Sequence, residues 1–155
     1  MLAAILGIDL GTKCGWAYLH SKQDKGVALI SGVWDCSIKT GVDSPSLRFT
    51  KFERQLDDLL SLGPDLVAYE IVHAHRGVQA GHMYGAFQAK LFERCERMGV
   101  PVKGFAVQTI KKFATGKGNA DKEAVIAAVR GWGFSPKDDN EADAIALSRL
   151  VWEDM

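Results

Sequence analysis

The stretch Ala3-Ala4-Ile5-Leu6-Gly7-Ile8-Asp9-Leu10-Gly11-Thr12-Lys13-Cys14-Gly15 decides how the rest of the chain is read. From Ala3 to Leu10 it is almost wholly apolar, interrupted only by Gly7 and Asp9. A short continuous apolar run ended by a turn signal, here Gly11-Thr12-Lys13, reads as a buried central strand. Asp9 is the anomaly, because a carboxylate in such a strand is costly unless it is paired or meets a cation. The plainer alternative is a turn aspartate closing the strand. Gly7, Gly11 and Gly15 let something bulky approach the backbone, and a phosphate is one candidate.

Outward from this strand, Gly15 to His20 and Gly26 to Cys36 are rich in β-formers and flank the polar turn Ser21-Lys22-Gln23-Asp24-Lys25. They predict an antiparallel meander. A helix follows, capped by Asp43 or Ser44, with Pro45 in its first turn, Leu47, Phe52, Leu56, Leu59 and Leu60 on its apolar face, and Gly63-Pro64 as its stop. Asp65 to Ile71 reads as a second apolar strand, Gly77 to Met98 as a long helix closed by Gly99, and Val100 to Val107 as a fifth strand. Thr109 to Thr115 is a basic turn or short helix and Gly116 to Asn119 a loop. Asp121 to Gly131 and Glu141 to Trp152 are helices, separated by a polar loop from Phe134 to Asp139. The order β-β-β-α-β-α-β-α-α implies an α/β mixed sheet covered by helices, in a single domain spanning 1–155.

Composition removes several classes. At 155 residues, 47% hydrophobic and 25% charged, the chain has enough material for a core and is neither disordered nor fibrous. Nineteen basic and nineteen acidic residues cancel, so any polyanion partner must be met by a local patch. No apolar run reaches 18 residues, and the opening lacks a basic n-region, so neither a membrane span nor a signal peptide is expected. Cys14, Cys36 and Cys95 are odd in number and form no CxxC. They read as reduced thiols filling the core of a cytoplasmic protein.

Four groups of residues carry possible chemistry. Glu70 interrupts its strand as Asp9 does. If the two strands are parallel neighbours, their C-terminal ends bring Asp9 and Glu70 together at the edge where open α/β sheets bind ligands. Like charges that close repel, and a divalent cation relieves this. In Asp138-Asp139-Asn140-Glu141-Ala142-Asp143, the spacing lets Asp139, Asn140 and Asp143 share a helical face. Capping and dipole effects account for Asp138, Asp139 and Glu141 but leave Asp143 unexplained. Carboxylates from two strands and one helix make an all-oxygen site of the kind that suits Mg²⁺ or Mn²⁺. The segment Lys111 to Lys122 holds Lys111, Lys112, Lys117 and Lys122, a local excess in a neutral protein that suits phosphate, with a solvated surface as the alternative. His73, His75, His82 and Arg76 follow Glu70; a zinc set is incomplete there, and contact with phosphate or bases is the better reading.

In combination these motifs resemble a known family. Gly7-Ile8-Asp9-Leu10-Gly11, Tyr69-Glu70, Lys111-Lys112 with Thr115 to Lys122, and Asn140-Glu141-Ala142-Asp143-Ala144 are similar to the RuvC Holliday junction resolvases, most nearly their phage and prophage branch. The resemblance runs from Ala3 to about Leu150. It implies an RNase H-like fold, a homodimer in the bacterial cytoplasm, and Mg²⁺-dependent symmetric nicking of four-way DNA junctions, with two ions per active site and Mn²⁺ as a substitute. Asp9, Glu70 and Asp143 fall on the family's catalytic carboxylates. The usual fourth ligand position is Asn140, with Asp139 as a possible replacement. Lys111, Lys117 and Lys122 fall in the DNA-contacting stretch. His73 stands where the family has an aromatic wedge.

Three rivals remain. The Asp-Leu-Gly-Thr-Lys-x-Gly run also resembles the phosphate loop of actin-like ATPases and sugar kinases, but those need two related domains. A non-catalytic junction-binding protein would not need the intact carboxylates. A short RuvX-type nuclease acting on RNA fits the Thr-Gly-Lys-Gly-Asn-Ala-Asp-Lys stretch less well.

Overall fold

The computed structural model describes residues 4–22 and 26–154. Three strands come first: β1 (Ala4–Asp9), β2 (Lys13–Lys22) and β3 (Gly26–Asp35). Helix α1 (Leu47–Leu60), strand β4 (Leu66–Ile71), helix α2 (Gly77–Met98) and strand β5 (Val102–Ala106) follow. The chain then runs through α3 (Val107–Thr115), α4 (Lys122–Gly131) and α5 (Asp139–Asp154). The sheet order is β3-β2-β1-β4-β5, antiparallel across β1–β2 and β2–β3 and parallel across β1–β4 and β4–β5. This is the expected mixed five-stranded sheet flanked by helices.

Side-chain alternation along the strands sorts the core into two layers. Leu6 and Ile8 of β1, with Val67 and Tyr69 of β4, face Phe52 and Leu56 of α1 and Phe87 and Leu91 of α2. Ile5 of β1, with Leu66 and Ala68 of β4, faces Ile110, Val125 and Val129 and the buried run of α5 that includes Ile145 and Leu147. A buried apolar side chain of this size contributes about 1.5–3 kcal/mol, so both layers are substantial. Cys14, Cys36 and Cys95 are free and buried, as core filler should be. Among the described residues no helix is long and apolar enough to cross a membrane.

Several boundaries differ from those expected. The meander strand is longer, from Lys13 rather than Gly15, because its ladder with β3 continues to the Lys13–Asp35 pair. Of the turn expected at 21–25, Ser21 and Lys22 belong to β2, and residues 23–25 lie outside the described residues, as does Ala3 of the first strand. Neither Asp43 nor Ser44 caps α1: Ser46 holds that position and Pro45 precedes the helix. Asp43 instead accepts from the Lys39 amide, and Ser44 bonds to Ser46. The stretch from Thr109 is a helix that begins at Val107, taking Val107 from the fifth strand. Asp121 caps α4 by accepting from the Ala124 amide at 2.8 Å. The last helix begins two residues early because Asp138 accepts from the Glu141 amide at 2.9 Å and so supplies its cap.

Candidate metal and nucleic-acid site

Strand parity places the first two carboxylates. Asp9 has the parity of Ile5 and Gly7, and Glu70 that of Leu66 and Ala68, so both point to the face covered by α5. The parallel register ends at the Ile8–Tyr69 pair, and one step further along each strand brings Asp9 beside Glu70.

The third carboxylate depends on how closely α5 can dock. A Cβ at Gly7 would lie 2.8 Å from the Ala144 carbonyl oxygen, and one at Gly15 only 1.9 Å from that of Asn140. The bulky group that these glycines admit is therefore the backbone of α5, not a phosphate. Gly11 faces no such contact. Seated this low on β1 and β2, α5 brings Asp143 over the sheet edge. Ligand oxygens of Asp9, Glu70 and Asp143 all lie within 4.8 Å of one another.

The electrostatics of this cluster are unfavourable without a cation. Burial, and then the charges of Glu70 and Asp143, push the Asp9 carboxyl well above its ordinary value. Burial raises Glu70, with the Lys111 ammonium opposing it. Burial and Glu70 raise Asp143 to about 7. Among the described residues, none of the three makes a salt bridge or accepts a hydrogen bond from the protein. Three converging oxygen donors without a direct ion-pair partner, only partly offset by the more distant Lys111, fit a hard divalent cation.

The remaining acidic residues separate by role. Asp139 pairs with Lys122 at 3.4 Å and is not among the three converging carboxylates, and the Asn140 amide donates to Asp138 at 3.4 Å. Glu141 is buried. It accepts from the Ser31 hydroxyl at 2.8 Å and the Lys137 amide at 2.7 Å, pinning the start of α5 to β3 and the preceding loop. In the sequence it is one more acidic residue at a helix start. Its burial depends on β3, distant along the chain, and leaves no local signal.

The lysines diverge as well. Lys111 on α3 is half-buried and close enough to influence both Glu70 and Asp143. Lys112, one residue on, lines a separate surface groove with Gln108, Phe113 and Asp154. Lys117 is exposed on a turn in which Gly116 has φ 84° and Thr115 Oγ1 accepts from the Lys117 amide at 3.1 Å. His73 and Arg76 are exposed between β4 and α2, while His75 packs on Tyr84 with ring centroids 4.9 Å apart. Arg48 of α1 donates to Thr12 Oγ1 at 2.5 Å, adding a cation near the β1–β2 turn that no sequence motif signals.

The strand order, the two helical layers and the carboxylates at one sheet edge give an α/β fold of the RNase H-like class with a candidate metal site. Comparison with known proteins narrows this. Residues 5–149 match the family model for the crossover junction endodeoxyribonuclease RuvC. The RuvC of Nitratidesulfovibrio vulgaris is 32% identical over 124 residues, covering 78% of this chain and 72% of that protein. The RuvC of Synechococcus sp. WH7803 is 29% identical over 156 residues, covering 96% and 97%. The solved structure of Thermus thermophilus RuvC in complex with a Holliday junction substrate superposes with a TM-score of 0.81 at 24% identity, over 96% of this chain and 92% of that one. The chain belongs to the RuvC family of crossover junction endodeoxyribonucleases, which are Holliday junction resolvases and hence hydrolases.

Proposed function

We propose that Asp9, Glu70 and Asp143 form the catalytic centre of a Mg²⁺-dependent junction resolvase, with Mn²⁺ able to substitute. The convergence of three carboxylates within 4.8 Å, none of them in a direct ion pair, carries this reading. When bound, a pair of divalent ions would supply a hydroxide nucleophile at neutral pH and stabilise the leaving oxygen of the phosphodiester. The chain's contribution is to hold the cluster fixed: β1 and β4 set two carboxylates by register, and α5 sets the third through its contact with Gly7 and Gly15. Asn140 and Asp139, on the first turn of α5, are the candidates for a further ligand. Asp139 would have to release Lys122 to take that role.

Around the cluster, Lys111 neutralises the phosphate nearest the carboxylates, and Lys117 and Lys122 meet the adjoining backbone. Lys112 contacts a more distant phosphate. His73 and Arg76, exposed past the end of β4, meet the junction itself, with His73 stacking on a base. Cleavage of two strands related by a dyad requires two such sites, so the active form is a homodimer. It acts on branched DNA in the bacterial cytoplasm, as one domain. A nicking assay tests this: a mobile four-way junction should be cut symmetrically in Mg²⁺ or Mn²⁺, a linear duplex should not, and excess EDTA should abolish cutting. Cleavage that persists in EDTA overturns the metal centre.

A further inference from the structure

Tyr84, on α2, is half-buried and its hydroxyl makes two bonds at once. It donates to the Glu70 carbonyl oxygen at 2.8 Å and accepts from the Val72 N–H at 3.2 Å. The carbonyl of one residue and the N–H two residues later are the groups that a strand offers to a single neighbour. β4 keeps β1 as a partner only to the Ile8–Tyr69 pair, whereas its ladder with β5 continues to Ile71–Ala106. Past Tyr69, one side of the strand therefore requires a donor and an acceptor from elsewhere. A phenol hydroxyl has one of each. Tyr84 supplies both, at the residue whose side chain enters the carboxylate cluster.

The ring is itself braced. His75 lies against it at 4.9 Å with an interplanar angle of 43°.

We propose that Tyr84 is a positioning residue for Glu70, fixing the end of β4 so that this carboxylate is held in place for the cation. The proposal rests on reading the cluster as a metal centre. Tyr84→Phe tests it, because the ring and its packing on His75 are kept and only the hydroxyl is removed. In the full-length variant, hydrogen exchange at the Val72 amide should accelerate. Mn²⁺ affinity, followed by electron paramagnetic resonance on metal-free protein, should fall about fivefold, the factor one neutral hydrogen bond is worth. Junction cleavage should show the same change in half-saturating Mn²⁺ and recover towards the wild-type rate when the metal is raised. A role in general stability alone would lower the melting temperature and leave the Mn²⁺ affinity where it was, and that result overturns the proposal. So does an unchanged Val72 exchange rate. A wild-type protein that binds no Mn²⁺ overturns the metal centre itself and this proposal with it, whereas Mn²⁺ affinity equal in the two proteins overturns only the role of Tyr84.

Discussion

Replacing Asp143 by asparagine should stabilise the metal-free protein at neutral pH. The Asp143 carboxyl is raised from 3.8 to about 7 by burial first and by the charge of Glu70 second. A carboxyl with a folded value above its unfolded one binds its proton more tightly in the native state. Its favourable contribution is therefore complete below pH 3.8 and is lost as pH rises to about 7. Raising a pKa by one corresponds to about 1.4 kcal/mol, so above pH 7 the ionised side chain costs roughly 2–4 kcal/mol once solvent access at the sheet edge is allowed for. Asparagine has nearly the same shape and no charge to desolvate, so it should recover most of this. For a domain of this size that is a rise in Tm of about 5–15 °C. Urea unfolding in EDTA at several pH values gives the measurement. The wild type should lose stability between about pH 4.5 and 7.5, while Asp143→Asn should show a shallower decline, because Asp9 and Glu70 are still raised. At saturating Mg²⁺ the order should reverse, since only the wild type retains all three ligands. If Asp143→Asn is no more stable than wild type in EDTA above neutral pH, the carboxylates are not an electrostatic burden and the case for a cation site fails.

Gly15→Ala should be destabilising by about 3 kcal/mol or more, because its Cβ would stand 1.9 Å from the Asn140 carbonyl and force α5 off the sheet; circular dichroism melts and the nicking assay should fall together, and a wild-type melt would show that α5 does not dock so closely. Lys117→Ala should reduce the slope of log affinity against log salt by about 0.9, the value of one phosphate no longer neutralised, whereas an unchanged slope would leave Lys117 as a solvated charge. His73→Phe should keep or improve junction cleavage and His73→Ala impair it, since stacking on a base contributes about 1–3 kcal/mol; equal impairment in both would point to the imidazole's hydrogen bonding or charge instead.

Most of the fold is legible in the sequence because its signals are local. Apolar runs at 3–10 and 65–71, the β-rich meander and the helical periodicity of 77–98 each identify an element from neighbouring residues alone. Asp9 and Glu70 stand out for the same reason: each is a charge in a run that should have none, and strand parity carries both to one face. Asp143 stands out because capping accounts for the first turn of α5 and not for its second. Other features depend on contacts between distant segments and cannot be read this way. Gly7 and Gly15 signal a close approach without saying what approaches. A phosphate is one candidate, and the answer is the backbone of a helix far along the chain. Glu141 looks like its acidic neighbours until β3 covers it, and Tyr84 is one more aromatic on a helix until its hydroxyl meets the end of β4.

The same docking that assembles the site also explains how the fold tolerates it. Three carboxylates held within 4.8 Å oppose folding, and a cation cannot assist until α5 is seated. The helix carries its own compensation. Ala142, Ala144, Ile145, Ala146, Leu147, Leu150 and Val151 are all buried, so its apolar surface seals the layer that includes Ile5, Ala68, Val125 and Val129. Ile145, Leu147, Leu150 and Val151 alone contribute several kilocalories per mole at about 1.5–3 kcal/mol each, enough to offset the electrostatic cost at Asp143. Glu141 adds two hydrogen bonds at the end of the helix nearest the site. The carboxylates are therefore brought together by packing rather than by the ion. Metal removal should accordingly stop cleavage and lower stability while leaving the chain folded, with α5 in place to receive the cation again.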